Sequence, residues 1–201
     1  MNTLPRRTPL PSAVILLIVT CLVYFVQASE LFNFYPFALL PIERGFQPWQ
    51  LVSYGFLHGS FLHLFFNMFA LYMFGLAIEQ AWGTKRFLIY YFVCLVGAGL
   101  LQLVMTSVMG SPRPTIGASG AVFGILLAFG MMYPNQRILL IFPPIPMKAK
   151  WFVIVYGLLT LFFGVTGTMA GIAHFAHLGG MLFGFVLILY WGRQDFQRRR
   201  R

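Results

Sequence analysis

Apolar residues run in six blocks along the chain, near 12–29, 61–79, 86–107, 116–133, 150–167 and 174–191. Each block approaches the ~20 residues that a helix needs to cross the hydrocarbon of a bilayer. The pattern predicts six transmembrane helices that use up nearly the whole chain, with linkers too short to hold a soluble domain. No signal-peptide cleavage pattern follows the first block, which is therefore expected to be retained as a helix. One connection is long, from Phe32 to Ser60. It holds Pro36, Pro41, Pro48, Trp49 and Tyr54, which suit an irregular, half-embedded interfacial segment rather than a seventh span. The membrane domain is expected over 12–192, between a tail at 1–11 and a basic tail at 193–201.

Composition agrees. Of the 201 residues, 59% are hydrophobic and only 9% charged, against roughly a quarter charged in soluble domains. An all-α membrane protein is the class this implies. Cys21 and Cys94 both fall in apolar blocks, where a thiol acts as a small hydrophobe, so neither a disulfide nor a metal cage is inferred. The net charge of +10 raises the question of nucleic acid, but the basic residues are scattered over short loops and the tail. With both termini inside, twelve of them face the cytoplasm: Arg6, Arg7, Lys85, Arg86, Arg137, Lys148, Lys150, Arg193 and Arg198 to Arg201. Only Arg44 and Arg113 lie outside, so the positive-inside rule favours this orientation. The Arg198 to Arg201 run is read as an anchor at anionic headgroups, and no nucleic-acid partner is expected.

In that orientation spans two, four and six run from outside to inside. Their outer ends carry His63 with Asn67, then Ser119, then His177, each within about two turns of the helix start and hence at similar depth. Ionisable groups inside a membrane are costly and usually mark a working site. Glycines flank Ser119 in Gly117-Ala118-Ser119-Gly120, which lets another chain approach and leaves backbone N–H groups uncovered. His177 shares a helix face with Gly180 and Gly184. If that face packs on span four, the imidazole reaches Ser119, and a base at hydrogen-bond distance makes a hydroxyl nucleophilic. The acids are only Glu30, Glu43, Glu79 and Asp195. None belongs at the depth of this pair, so a Ser-His dyad is expected instead of a triad, with Phe123, one turn below Ser119, as the ring against the imidazole. His63 and Asn67, at i and i+4, share a face and form either a structural pair or an oxyanion hole. The backbone N–H of Ser119 would be a further oxyanion donor.

The G-A-S-G of span four, the A-H-L-G-G of span six and the H-L-F-F-N of span two stand in an order and spacing that resembles the rhomboid family of intramembrane serine proteases. The resemblance covers almost the whole sequence. It implies a six-transmembrane-helix rhomboid-like bundle with a partly membrane-embedded first loop. It also implies a dyad of Ser119 and His177, with His63 and Asn67 helping to bind the oxyanion. Gly75 with Glu79 is similar to the family's G-x-x-x-E at the inner end of span two. Many members have Trp-Arg in the first loop, whereas here it reads Trp49-Gln50, a departure that bears on a loop contact and not on the chemistry. With no soluble N-terminal domain and no seventh span, the chain resembles the minimal prokaryotic form, which implies a bacterial inner membrane with both termini cytoplasmic.

The expected activity is hydrolysis of peptide bonds in or near transmembrane segments, without cofactor or metal, on transmembrane protein substrates in the lipid bilayer. The fifth span and the Thr166 to Ala173 loop, rich in small residues, are the expected movable gate. A catalytically inactive rhomboid-like factor that binds membrane proteins is the alternative, and it predicts loss of the nucleophile or base. A transporter would line a path through the whole bilayer with polar groups. A zinc protease would need the H-E-x-x-H glutamate that His174 and His177 lack. His174 is read as a loop or rim residue and His58 as an interfacial one.

Overall fold

A computed structural model of the chain describes residues 9–110, 113–139, 144–168 and 173–198, with side chains up to 195. Arg6, Arg7, Arg199 to Arg201 and the middle of the Thr166 to Ala173 loop lie outside the described residues. Among the described residues six apolar helices follow one another: α1 (Ser12–Ala28), α2 (Phe61–Trp82), α3 (Thr84–Met109), α4 (Ser119–Met132), α5 (Ala149–Thr166) and α6 (His174–Arg198). Four are long and apolar enough to cross a membrane, namely α2, α3, α5 and the His174–Asp195 part of α6. The other two, α1 and α4, are shorter apolar helices. A two-stranded hairpin, β1 (Arg137–Leu139) with β2 (Pro146–Lys148), joins α4 to α5.

Local chemistry sets the helix ends. Ser60, in extended backbone, caps α2 by accepting the His63 N–H at 3.1 Å, which satisfies one of the helix's orphan donors. Near its middle α2 widens into a π turn over Leu71–Gly75, which the hydropathy pattern does not reveal. The fourth apolar block begins near 116, yet α4 starts only at Ser119. The residues before it are held extended: Thr115 exchanges both backbone hydrogen bonds with Leu39 at 2.9 Å, and the Gly117 N–H donates to the Tyr54 carbonyl at 2.9 Å. Gly117 has φ +118°, a conformation that a side chain would strain. The result is a helix of 14 residues, about 21 Å at 1.5 Å per residue, whose first residue is Ser119.

Packing between the helices runs through small residues, as expected where lipid supplies no hydrophobic drive for association. Helix α6 lies against both α3 and α4. A Cβ on Gly180 would collide with the Gly120 carbonyl of α4, so the backbones meet there. Gly184, expected on the same partner, faces α3 instead, beside the Tyr90 hydroxyl and Cys94. The two glycines lie one turn apart, and Gly179 already lies against Gly97 and Ala98 of α3, so α6 touches both neighbours along this stretch. On the α3–α4 side, Gly120 meets Ala98 and Gly124 meets Cys94. The Tyr90 hydroxyl donates to the Gly124 carbonyl at 2.7 Å.

At the Trp82 end of α2, the Glu79 carboxylate accepts the Ser12 and Ala13 N–H groups of α1, each at 2.8 Å, and the Thr84 hydroxyl at 2.7 Å. One side chain thereby caps α1 and ties α2 to α3. Arg86 of α3 pairs through both terminal nitrogens with Asp195 of α6, at 2.8 and 3.1 Å, and lies over the Trp191 ring.

The long Phe32 to Ser60 connection is a series of short helical turns at Tyr35–Phe37, Ile42–Arg44, Gln50–Ser53 and Tyr54–Phe56. Gln50 holds it together. Its side chain donates to the Pro36 carbonyl at 3.0 Å and accepts the Leu40 and Gln47 N–H groups at 3.2 and 3.1 Å. An amide supplies both donor and acceptor here, and the residue is buried. The Tyr54 hydroxyl donates to the Leu95 carbonyl at 2.7 Å, docking the connection on α3.

Candidate active site

Ser119 is the first residue of α4, set there by the extended Thr115–Gly117 stretch, and His177 lies one turn into α6. The backbone approach of Gly180 to Gly120 brings the two helix starts together. His177 Nε2 stands 2.8 Å from Ser119 Oγ. The imidazole stacks on the Phe123 ring with centroids 4.1 Å apart and planes 6° from parallel. Stacking fixes the ring plane, and the hydroxyl fixes its rotation within that plane. Nδ1 is buried without a hydrogen-bond partner. Glu79 and Asp195 are engaged at the far ends of their helices, while Glu30 and Glu43 are exposed between α1 and α2.

Across from this pair stand His63 and Asn67 of α2. The His63 ring lies against Gly117: a Cβ there would sit 2.7 Å from the ring's Nε2 and Cε1, and 3.9 Å from Asn67 Nδ2. Gly117 therefore serves both the backbone turn and the approach of these side chains to the start of α4. Asn67 is buried, and its amide donates to the His63 carbonyl at 3.1 Å. One of its two N–H groups is used in this way, leaving the second.

A cavity of about 910 Å³ opens among these groups, lined by His63, Asn67, Ser119, Phe123, His174 and His177. His174 is buried on its wall, 6.3 Å between ring centroids from His177 and nearly perpendicular to it, so it is more enclosed than a rim residue. His58, read as interfacial, is also buried, with its ring edge-on to His63 at 4.8 Å. Its backbone is held by the Gln27 side chain of α1, which accepts the His58 N–H at 3.2 Å and donates to the His58 carbonyl at 3.0 Å, a contact that linear hydropathy does not show.

Two further polar residues line the same cavity and escaped the sequence reading. Gln102 of α3 accepts the Ala176 N–H at the start of α6 at 3.1 Å and donates to Thr106 at 3.2 Å. It shares this N–H, in the first turn of the helix that carries His177, with the Ala173 carbonyl at 3.0 Å. The signal was present: Gln102 and Thr106 stand at i and i+4 in an apolar block, the spacing that drew attention to His63 and Asn67.

Apolar helices around a part-buried serine–histidine pair, with an asparagine and a histidine facing it across a cavity, are the architecture of a multi-pass integral membrane protein. The sequence model of the Rhomboid domain matches residues 45–194, and the chain belongs to the rhomboid family. Among its relatives are the yeast Rhomboid protein 1, mitochondrial, of Saccharomyces cerevisiae, 30% identical over 76% of this chain and 44% of the yeast protein. Rhomboid-like protease 3 of Toxoplasma gondii is 30% identical over 78% of this chain and 57% of its own length. Rhomboid protease GluP of Bacillus subtilis is 33% identical over 68% of this chain and 25% of its own length. The chain thus spans about half or less of the length of these relatives.

Proposed function

We propose that this chain is an intramembrane serine endopeptidase that cuts peptide bonds in or beside the transmembrane segments of membrane proteins. The observation that carries this reading is the 2.8 Å contact between Ser119 Oγ and His177 Nε2 beside a cavity lined by hydrogen-bond donors. In the reaction Nε2 takes the Ser119 proton as Oγ attacks the scissile carbonyl, so the neutral ring begins with its proton on Nδ1. The tetrahedral intermediate collapses as imidazolium protonates the leaving amine. Water, activated by the same nitrogen, then hydrolyses the acyl-enzyme. Phe123 stacking takes the place of an acid in orienting the ring, which makes this a dyad.

Negative charge on the carbonyl oxygen would be met by the Ser119 N–H at the start of α4, the remaining N–H of Asn67, and His63. Donors preorganised at a developing oxyanion are worth about 2.7–4 kcal/mol each, and the helix start adds a favourable dipole. A transmembrane substrate has its backbone hydrogen bonds satisfied, so it must unwind before presenting a carbonyl. Helix-weakening residues near the cut should therefore favour cleavage. Helix α5 is the proposed gate. It contributes Phe163 and Gly164 to the cavity wall. With the charge distribution along the chain, this reading places both termini in the cytoplasm and the site toward the outer leaflet of a bacterial inner membrane.

The test is a fluorophosphonate probe applied to purified protein in detergent or liposomes, alongside cleavage of a model transmembrane substrate. Labelling and cleavage should both vanish in Ser119→Ala, and cleavage in His177→Ala. Absence of both in the parent protein would favour the inactive, binding-only alternative.

A further inference from the structure

We propose that the β1–β2 hairpin between α4 and α5 is a binding site for the headgroups of anionic phospholipids. In its register Arg137 stands opposite Lys148, Ile138 opposite Met147 and Leu139 opposite Pro146. The pleat sorts these pairs. Ile138 and Met147 turn inward and pack on the core, while Arg137, Leu139, Pro146 and Lys148 are exposed. Two cations are thus held directly across from each other on one open face, an arrangement that destabilises a strand pair unless a counter-charge joins it. Among the described residues no acid supplies that charge. Glu79 is engaged with Ser12, Ala13 and Thr84, and Asp195 with Arg86, while Glu30 and Glu43 belong to the connection between α1 and α2. A third cation, Lys150, stands in the first turn of α5, with its ammonium 5.8 Å from the centre of the Trp151 ring.

The surroundings of these cations select the ligand. Leu139 is 66% exposed, Ile145 50% and Trp151 53%. A soluble polyanion would match the charges but leave this apolar surface in water. A bilayer interface satisfies both, because phosphate meets the cations, aliphatic side chains enter the acyl boundary and tryptophan settles at headgroup level. The hairpin joins two apolar helices, which holds it at the edge of the membrane, and its uncompensated charge prefers a lipid of net negative charge to a zwitterionic one. The assignment rests on α4 and α5 both crossing the bilayer and not on the chemistry of Ser119.

Native mass spectrometry of the full chain in detergent, titrated with phosphatidylglycerol or phosphatidylcholine, tests the site. Phosphatidylglycerol should bind at least about tenfold more tightly. Each juxtamembrane cation contributes about fivefold, so the triple variant Arg137→Gln/Lys148→Gln/Lys150→Gln should bind it roughly a hundredfold more weakly, with phosphatidylcholine unaffected. Lys85→Gln, which removes a cation elsewhere, should change nothing. The charge-conserving Arg137→Lys/Lys148→Arg variant should bind as the parent does. An unchanged thermal unfolding midpoint shows that the triple variant is folded, whatever the outcome of the Ser119 experiments. The site is refuted by a triple variant that binds phosphatidylglycerol normally, by a parent that does not distinguish the two lipids, by loss of binding in the charge-conserving variant, or by displacement of the lipid by an acidic peptide or oligonucleotide at micromolar concentration.

Discussion

At one end of α2 the Glu79 carboxylate takes two backbone N–H groups from α1 and the hydroxyl of Thr84. Near the other end, Asn67 returns one N–H to its own helix and holds the second beside a cavity, and His177 Nδ1 is buried without a partner. Both residues are buried polar groups in an apolar helix, and burial alone does not tell them apart. What separates them is whether their hydrogen-bonding capacity is used up. At the Glu79 end it is spent on closing helix ends, which stabilises the bundle. Around Ser119 it is held in reserve beside an opening, which is where a reacting group could be received. Damage at the Glu79 end should therefore lower stability and carry activity down only with the folded fraction. Damage around Ser119 should lower activity and leave unfolding nearly unchanged.

Substitutions at both ends can break this contrast. Ser119→Ala should reduce cleavage of a transmembrane substrate by about 10³-fold or more while the thermal midpoint stays within a few degrees. A comparable loss of stability would remove the distinction. Gly180→Ala drives a Cβ into the Gly120 carbonyl, so it should separate α6 from α4 and impair both properties. Overpacking of this kind costs about 3 kcal/mol, visible in chemical unfolding, and fluorophosphonate labelling should fall with it. Asn67→Ala removes a proposed oxyanion donor and should lower kcat by about 10²–10³-fold, with little change in KM. A change in KM alone would assign it to substrate binding. Glu79→Ala strips the acceptor from three donors and should cost about 2–3 kcal/mol, while the kcat of the molecules that remain folded is unaltered. Arg86→Gln should have the smallest effect. Its ion pair with Asp195 has side chains 39% and 43% exposed, and solvent screening limits such pairs to under about 1 kcal/mol.

The membrane class could be read from the apolar blocks, because a bilayer demands about 20 apolar residues wherever a helix crosses it. Candidate residues stood out for the same reason, since Ser119, His177, His63 and Asn67 are polar where polarity is costly. Less visible was anything that depends on the chain folding back on itself. Gln50 reads as a loop residue next to Trp49, and only the path of the connection shows it bridging Pro36, Leu40 and Gln47. His58 was expected at the interface and is enclosed, with its backbone held by the Gln27 side chain of α1 and its ring against His63. Gln102 carried the same i, i+4 signal as His63, but the N–H it accepts comes into place only when α6 begins beside α3.

From sequence alone come the apolar helices, the small residues that let them touch, the absence of an acid near Ser119 and the choice of Phe123 as the ring beside His177. Those features are local: they depend on periodicity, residue size and the cost of charge in hydrocarbon. Tertiary structure decided where α4 starts, since Thr115 and Gly117 are drawn into backbone pairing with Leu39 and Tyr54 from a distant loop. It also decided that Gly180 meets Gly120 while Gly184 meets Tyr90. Helix periodicity gives the face on which a residue lies but not the neighbour that face will meet. The 2.8 Å contact between Ser119 and His177 depends on that choice of neighbour.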